Sequence, residues 1–195
     1  GRCGNSCMRP NSTATCVAGM CQFQCAAGFI DLNNDPSDGC EYACTATSST
    51  DIPDLAFTDA NCDGIDGELT NGVFVSPNGL DTAAGTRAAP KRTLAAAVTA
   101  ATTSGKRDIY IAAGTYTGSL TIAGASGLNV AGGYHPMTWQ RATTNQVIVQ
   151  GGAKALDLDF ANDVLVQSIR FEGGLGTPNA YGAFIKDSSN VQLQA

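Results

Sequence analysis

The sequence lacks the features that mark several common classes of protein. No apolar run approaches the roughly 20 residues that a membrane-spanning helix needs. Basic residues are scattered singly along an acidic chain of net charge −6, unlike the clustered basic surface of a nucleic-acid-binding protein. Gly-x-Ser-x-Gly, phosphate-loop and dinucleotide-binding motifs are also missing. The sequence therefore predicts no membrane span, no nucleic-acid partner and no nucleotide cofactor.

Cysteine and excess negative charge are missing from most of the chain, because both are confined to its beginning. All eight cysteines lie between Cys3 and Cys62. Up to Glu68, eight Asp and two Glu oppose two Arg, whereas from Leu69 onward seven acidic residues oppose nine basic ones. Two different parts are therefore predicted. We assign residues 1–46 to a cysteine-rich module, residues 47–72 to an acidic linker and residues 73–195 to a larger domain.

The cysteine-rich part has too few large apolar side chains to bury a core, so it needs cross-links. Its even number of cysteines predicts four disulfides, although the spacing does not fix their pairing. Disulfides imply an oxidising compartment, which favours an extracellular or cell-surface location. Three Cys-x3-Cys pairs leave zinc as the alternative, but the acidic, Asn- and Gly-rich loops between them favour disulfides.

A family resemblance is carried by the segment Cys21-Gln-Phe-Gln-Cys25-Ala-Ala-Gly28-Phe29. A late cysteine, two small residues, a glycine and an aromatic residue resemble an EGF-like module. The longer stretch from Pro10 to Glu41 is similar to cysteine-rich modules on secreted proteins of myxobacteria and related bacteria. The resemblance implies a secreted protein with a small module at this end.

Two segments share the order Asp-x-Asn-x-Asp followed by a further acid. Oxygen ligands at alternate positions of a tight loop converge on one point, where they would repel each other unless a cation such as calcium lay between them. The second segment resembles the calcium loops of EF-hand, dockerin and thrombospondin type 3 repeats. The alternative is a linker rich in Asx turns, in which the acids serve solubility. The candidate calcium ligands are Asp31, Asn33, Asp35 and Asp38 in the first loop, and Asp59, Asn61, Asp63, Asp66 and Glu68 in the second.

Short β-branched runs, three or four residues long, separated by Gly, Asn, Ser and Thr, dominate the chain after Gly72. Such strands are too short for a conventional sandwich, and the two-residue turns of hairpins are missing between them. Their spacing of about 8 to 12 residues is typical of a solenoid, in which each coil adds one strand to each of several parallel sheets. Asn162–Val166 and Ser189–Leu193 have similar sequences 27 residues apart, which is close to one coil.

The segment from Pro90 to Gly105 departs from this pattern and predicts an amphipathic helix. Proline suits the first helical turn, glycine suits the C-terminal cap, and Leu94, Val98 and Ala101 form an apolar stripe. Lying before most of the predicted strands, the helix is expected to cover the open end of the solenoid and prevent strand pairing there.

A second resemblance covers most of residues 73–195. Phe74-Val-Ser-Pro-Asn-Gly-Leu-Asp-Thr-Ala-Ala-Gly-Thr-Arg-Ala-Ala-Pro90, the helix and Ile109-Tyr-Ile-Ala-Ala-Gly-Thr-Tyr116 resemble the entry of pectin-lyase-like right-handed parallel β-helix proteins. The loop from Gly132 to Arg141 is similar to one in secreted bacterial members. The predicted fold class is therefore mainly β: a right-handed parallel β-helix with an N-terminal capping helix, preceded by a disulfide-rich EGF-like module.

Residues for catalysis are sparse. Polysaccharide lyases of this fold use carboxylates with a nearby Arg or Lys, and the candidates are Asp157, Asp159, Asp163, Lys154 and Arg170. Asp157 and Asp159 alternate with leucines, so both face one side of a strand, where an ordinary solvated face is the alternative interpretation. We expect the only histidine, His135, to be a surface or packing residue, and the only tryptophan, Trp139, to anchor a loop.

The sequence favours an extracellular or cell-surface structural or adhesive protein, which could assemble into a fibre or surface layer. The alternatives are a carbohydrate-active enzyme resembling polysaccharide lyases and a non-catalytic polysaccharide-binding protein. The first residue, Gly1, indicates a processed or trimmed chain. The run Val191–Ala195 reads as the middle of a strand without a polar cap, so we expect the β-helix to be incomplete there. Missing sequence or another copy of the chain would cover it.

Overall fold

A computed structural model describes residues 7–174 and 179–195 of the chain. The structure divides into two compact units. The first contains the residues up to Asp51 together with Asp59–Gly64, and the second contains Ile52–Thr58 and Ile65–Ala195. The predicted linker, residues 47–72, thus contributes to both units. No helix in the described part of the chain is long and apolar enough to cross a membrane.

The first unit consists of two small antiparallel sheets cross-linked by disulfides. Strands β1 (Ser12–Val17) and β2 (Met20–Cys25) form a hairpin, and β3 (Phe29–Ile30) pairs with β4 (Tyr42–Ala43). Few of its side chains are buried, so covalent links take the place of an apolar core. The prediction of a disulfide-rich module is confirmed: the described residues contain the bonds Cys7–Cys21, Cys25–Cys40 and Cys44–Cys62.

The cysteine pairs suggested for zinc are used differently in the structure. The described cysteines are all disulfide-bonded, and in the three bonds given above no cysteine of a Cys-x3-Cys pair is joined to the other member of that pair. Thiolates are therefore not free to bind zinc in the described residues, and the zinc alternative is wrong for them. Cys3 lies outside the described residues.

The described residues of the second unit form eleven strands and one helix, and the strands pair in parallel. Their order along the chain is β5 (Gly72–Val75), α1 (Leu94–Ser104), β6 (Asp108–Ala112), β7 (Gly114–Thr117), β8 (Leu120–Ala123), β9 (Asn129–Tyr134), β10 (Val147–Gln150), β11 (Lys154–Asp159), β12 (Asn162–Gln167), β13 (Arg170–Glu172), β14 (Tyr181–Lys186) and β15 (Ser189–Gln194).

Successive strands from β7 onward belong to different sheets in turn. One sheet has the order β13-β10-β7, the second β14-β11-β8, and the third β15-β12-β9-β6-β5. We call three consecutive strands, one in each sheet, a coil. The similar segments identified in the sequence pair in register, since Asn162 lies beside Ser189 and Val164 beside Val191, and each pair is 27 residues apart. A mainly β fold with parallel sheets is thus confirmed, and the sheets fit a β-solenoid.

The core lies between the three sheets because alternate residues of each strand point inward. In β11, for example, Leu156 and Leu158 are fully buried while Asp157 and Asp159 are partly exposed. Equivalent apolar residues of successive coils stack in columns, such as Val130, Val166 and Leu193. Each column buries aliphatic surface along its length, which is the main stabilising term for the unit.

The corner between the second and third sheets uses the same backbone in three coils. In each of these coils, two corner residues three positions apart adopt left-handed φ angles. Both are glycines in the first of the three coils, and both are other residues in the next two. Phe160 and Asp187 occupy one of these positions in successive coils, with φ angles of 51° and 48°. Asp163 and Asn190 occupy the other, with φ angles of 52° and 49°. The coils thus turn alike although the corner residues differ.

The helix is shorter than predicted at its beginning. It starts at Leu94, not at Pro90, because the Thr93 side chain accepts a hydrogen bond from the Ala96 N–H and caps the helix. Gly105 forms the predicted C-terminal cap with a left-handed φ of 70°. The buried helical residues Leu94, Ala97 and Ala101 pack in the same core as the strands.

Residues before the helix, not the helix itself, cover the backbone edge of β5. The Phe74 N–H donates to the Gly85 carbonyl at 2.9 Å, and the Lys91 N–H donates to the Phe74 carbonyl at 2.8 Å. The Ser76 N–H donates in turn to the Lys91 carbonyl at 2.9 Å. The helix thus packs against the core, whereas residues 85–91, and not the helix as predicted, cover the strand edge.

Candidate functional site

The acidic face predicted from the sequence lies on the outside of the sheet β14-β11-β8. Asp157 and Asp159 both point outward from β11, as their alternation with leucines predicted. In the neighbouring strands, Thr121 and Phe184 lie beside Asp157, while Ala123 and Lys186 lie beside Asp159. The two carboxylates therefore belong to columns that hold one acid each.

Each carboxylate on this face has a cationic neighbour. The Lys154 Nζ donates to both oxygens of Asp157, at 2.9 and 3.0 Å. The Lys186 Nζ lies 3.7 Å from Asp159 and 3.2 Å from Asp187. The hydrogen bond with Asp187, and the negative charges of both carboxylates, raise the pKa of Lys186. The face thus consists of ion pairs along and between strands.

Aromatic rings accompany these charges. The Lys154 Nζ lies 3.8 Å from the centre of the Phe184 ring, in a cation–π contact. Tyr181 contacts Phe184 with 5.6 Å between ring centres, and Tyr181 is 44% exposed. We call Lys154, Asp157, Tyr181 and Phe184 the aromatic-ionic patch. Sequence reasoning found its charged members, but it missed the rings because only the pairing of β11 with β14 brings them there.

The other two candidate catalytic residues lie elsewhere. Asp163 lies at a corner, near the start of β12 in the third sheet, and accepts a hydrogen bond from Asn190 at 2.7 Å. Arg170 begins β13 in the first sheet and pairs with Glu172 at 2.9 Å. The structure therefore brings together Lys154, Asp157 and Asp159 but neither Asp163 nor Arg170.

A groove of about 530 Å³ lies within the second unit. The turns that precede β10 and β13 form its walls, and Leu55, Phe57 and Ile148 are among its apolar lining residues. Among the described residues that line it, Arg170 has the only charged side chain and none is acidic. Glycoside hydrolysis requires a pair of carboxyl groups flanking the bond to be cleaved, so this groove does not supply that chemistry.

His135 and Trp139 both belong to a tight turn after β9. The Nδ1 atom of His135 accepts the backbone N–H groups of Met137 and Thr138, at 3.3 and 3.2 Å. Trp139 is only 2% exposed, and its ring meets that of Phe74 edge-on with 4.8 Å between centres. Both expectations are confirmed, because His135 supports a turn and Trp139 anchors the loop.

The two candidate calcium loops fold alike. In the first, the Asp35 N–H donates to the side chains of Asp31 at 3.1 Å and Asn33 at 2.7 Å. In the second, the Asp63 N–H donates to Asp59 at 3.2 Å and to Asn61 at 3.0 Å. Identical spacing in the sequence thus produces an identical turn, and carboxylate and amide oxygens of both loops accept backbone hydrogen bonds.

Side-chain amides also use the acids of these loops. The Asn33 amide donates to Asp38 at 2.9 Å, and the Asn61 amide donates to Asp63 at 3.1 Å. Among residues 7–174 and 179–195, no group of three or more His, Cys, Asp or Glu side chains is arranged to hold a metal ion. The described conformation matches the Asx-turn alternative, and calcium binding stays a prediction.

The last two candidate ligands, Asp66 and Glu68, belong to the second unit. The Asp66 carboxylate forms a buried ion pair with Arg141 at 2.6 Å and accepts the Asp54 N–H at 3.1 Å. Glu68 is half-buried, and its carbonyl accepts the Tyr110 hydroxyl at 3.1 Å. The carboxylate oxygens of Asp66 thus accept hydrogen bonds from other groups of the protein in the described structure.

Arg141 is the buried centre that sequence reasoning missed. Besides Asp66, its guanidinium donates to the carbonyls of Asp54 at 2.8 Å and Gly132 at 2.9 Å. It also lies over the rings of Phe57 and Tyr134, 4.7 and 5.3 Å from their centres. Arginine is suited to this role because its planar group offers several donors and stacks on aromatic rings. Arg141 and Asp66 are far apart in the sequence, so no local motif predicts their ion pair.

A second buried acid lies in the third sheet. Asp108 is 3% exposed and accepts hydrogen bonds from the amides of Asn129 at 2.8 Å and Asn71 at 2.9 Å. Burial raises the pKa of Asp108, although the two amides oppose that effect. Asp108 thus connects Asn129 of the neighbouring strand β9 with Asn71, the residue before β5.

Comparison of the chain with protein-family models, curated proteins and solved structures finds no match. The resemblances to EGF-like modules and to pectin-lyase-like proteins therefore stay hypotheses.

Proposed function

We propose that this protein is an extracellular or cell-surface structural or adhesive protein, in which an EGF-like module precedes a right-handed parallel β-helix. Rotation of successive strands through three parallel sheets, with a 27-residue register in the last coils, supports the β-helix. Three disulfides support the extracellular location, because cytosolic thiols are normally kept reduced.

A structural role is favoured over catalysis by one observation, the pairing of the charged groups on the outer face of β11. Lys154 is engaged with Asp157 and with the Phe184 ring at once. Both contacts occupy the Lys154 amino group, whereas a general base must be within reach of the proton that it abstracts from the sugar. Asp159 in turn lies near Lys186. The contacts of Lys154 with the Phe184 ring and of Lys186 with Asp159 connect neighbouring coils, which is what a scaffold requires of its surface.

Non-catalytic polysaccharide binding is the second candidate, and the aromatic-ionic patch favours it. The exposed ring of Tyr181 offers an apolar surface for stacking on a sugar, and Lys154 and Asp157 lie within the same patch. This function requires exposed rings and hydrogen-bonding groups but no base.

One measurement tests the proposed location, and a second separates the two functions. Antibody labelling of intact cells that produce the protein should stain their surface, and an exclusively intracellular signal would contradict the proposal. The purified full chain is then incubated with acidic and neutral polysaccharides while unsaturated products, new reducing ends and binding are measured. Binding without products, reduced in Tyr181→Ala, would favour the second candidate.

The Asp157→Asn variant controls for catalysis. It preserves side-chain volume but removes the charge that pairs with Lys154. Turnover of any polysaccharide by the wild type that is lost in this variant would overturn the structural proposal. No turnover by either protein agrees with it.

A further inference from the structure

Positive charge is unevenly distributed in the second unit. Residues 82–107 contain five of the chain's eleven Lys and Arg residues and no acid. Each of the four bases that follow them belongs to a described ion pair. In the described part of the chain, none of the five belongs to one: these are Arg87, Lys91, Arg92, Lys106 and Arg107. Their charges are therefore available to attract an anion from solution.

Arg92 is the base best placed to bind an anion directly. Its side chain is exposed, and its Nε atom donates to the Gly79 carbonyl at 2.8 Å. This bond fixes the direction of the guanidinium group and leaves the two terminal nitrogens without a partner in the described structure. These nitrogens form a planar fork that matches two oxygens of a phosphate or a carboxylate. A side chain that is already held also loses less freedom when a ligand binds.

A cleft of about 210 Å³ lies beside Arg92. Its described lining comes from Pro77, from the start of helix α1 and from β7, where Thr115 and Thr117 point away from the core. The hydroxyl groups of these two threonines form no hydrogen bond with the described residues, so they are free to donate to a ligand. The cleft thus combines one guanidinium fork with two hydroxyl groups.

One acid, Asp81, interacts with the charge of Arg92 but does not line the cleft. Its carboxylate accepts the N–H groups of Arg92 at 3.0 Å and Thr93 at 2.8 Å, and the Thr93 hydroxyl at 3.0 Å. The hydrogen bond from the Thr93 N–H is the main cause that lowers the pKa of Asp81, so this acid is ionised near neutral pH. A ligand of Arg92 must therefore compete with one negative charge, which favours an anion that carries more than one.

We propose that this cleft binds the phosphate group of a phosphomonoester through Arg92, Thr115 and Thr117. A phosphomonoester has three terminal oxygens and up to two negative charges near neutral pH, so it can accept hydrogen bonds from all three side chains. A carboxylate has two oxygens and one charge, and it would leave one of these donors unused. The phosphate could belong to a soluble sugar phosphate or to a lipid headgroup, and the two sources require different probes.

Calorimetric titration of the full chain with glucose 6-phosphate tests the soluble source, and vesicles that contain phosphatidic acid test the lipid source. Binding of either probe supports the proposal and identifies the source. Arg92→Gln should weaken binding by more than about tenfold, because it removes the charged fork. Arg107→Gln is the matched control, since Arg107 is also an exposed base without an ion pair in the described structure but lies beyond the other end of α1. It should weaken binding by less than about twofold at physiological ionic strength.

A second variant keeps the test independent of folding. Thr117→Val removes one hydroxyl from an exposed side chain while keeping its shape, and it should weaken binding by about threefold or more. Glucuronate, and vesicles of equal charge made with the phosphodiester phosphatidylglycerol, should bind at least about tenfold more weakly than the matching phosphate probe. Circular dichroism checks that each variant is folded. No binding of either phosphate probe at millimolar concentration, equal losses in Arg92→Gln and Arg107→Gln, or equal binding of the probes without a phosphomonoester would overturn the proposal.

Discussion

Replacing Arg141 by methionine should destabilise the second unit strongly. The side chains of Arg141 and Asp66 are 0% and 2% exposed, so their 2.6 Å ion pair is almost completely removed from water. Removing one partner leaves the other charge buried without compensation, which costs about 3–5 kcal/mol. The carbonyls of Asp54 and Gly132 also lose their donor. We therefore expect the free energy of unfolding to fall by at least about 3 kcal/mol.

The only tryptophan provides the assay. Trp139 is buried near Tyr134, with 6.3 Å between ring centres, so urea unfolding of this region should change its fluorescence. Arg170→Met is the matched control, because the Arg170 side chain is 70% exposed in its pair with Glu172. Exposed pairs contribute about 0–1 kcal/mol, so this variant should unfold close to the wild type.

A double variant tests the reasoning further. Asp66→Leu combined with Arg141→Met removes both charges, and it should recover a large part of the stability that either single change loses. If Arg141→Met costs no more than the Arg170→Met control, the buried pair does not stabilise the unit as argued. Equal losses for the single and double variants would likewise contradict an uncompensated buried charge.

Three further changes test other parts of the structure. Calorimetric titration should detect calcium binding to the wild type and about tenfold weaker binding to Asp63→Asn. The control Asp187→Asn should bind calcium as tightly as the wild type does, and no binding to the wild type at millimolar calcium would contradict the prediction. Because the pKa of Asp108 is raised in the folded state, ionisation of this group favours unfolding, and stability should fall as pH rises above the ordinary carboxyl value of about 4. Asp108→Asn should therefore gain stability relative to the wild type between about pH 4 and pH 7 in urea unfolding, and parallel pH curves would contradict this sign. Phe160→Gly should raise the free energy of unfolding by up to about 1 kcal/mol. Phe160 is 59% exposed, and its left-handed φ of 51° strains a residue other than glycine. An unchanged or lower free energy of unfolding would show that the ring stabilises the corner.

Much of the fold could be predicted because each strand of the second unit carries its own signal. Alternating leucines and acids identify β11, and the similarity of Asn162–Val166 to Ser189–Leu193 identifies the register of two coils. β7 carries little signal of its own, because Gly114–Thr117 contains one apolar residue, Tyr116, and pairs with β10 only in the fold. The beginning of the helix was misplaced because Thr93 caps it and residues 85–91 are held by β5.

The candidate site was less predictable because its contacts are distant in the sequence. Asp157 pairs with Lys154 three residues away, so alternation and charge found both. Phe184 reaches Lys154 only through the pairing of β11 with β14, which no local pattern specifies. Asp66 was assigned to a calcium loop from its spacing, whereas its carboxylate faces an arginine 75 residues away. Spacing predicts which groups could converge, but the tertiary fold decides which partner each one meets.

The polar residues of the last coils argue that this surface maintains register between strands. Asp163 and Asn190 share a left-handed corner conformation, lie 27 residues apart and are joined by a 2.7 Å hydrogen bond. Gln167 and Gln194 repeat the same separation with a 2.8 Å bond. A one-residue slip between coils would break both bonds and would also turn inward-facing side chains outward. Asp163, a candidate catalytic residue, is thus used to hold one coil on the next.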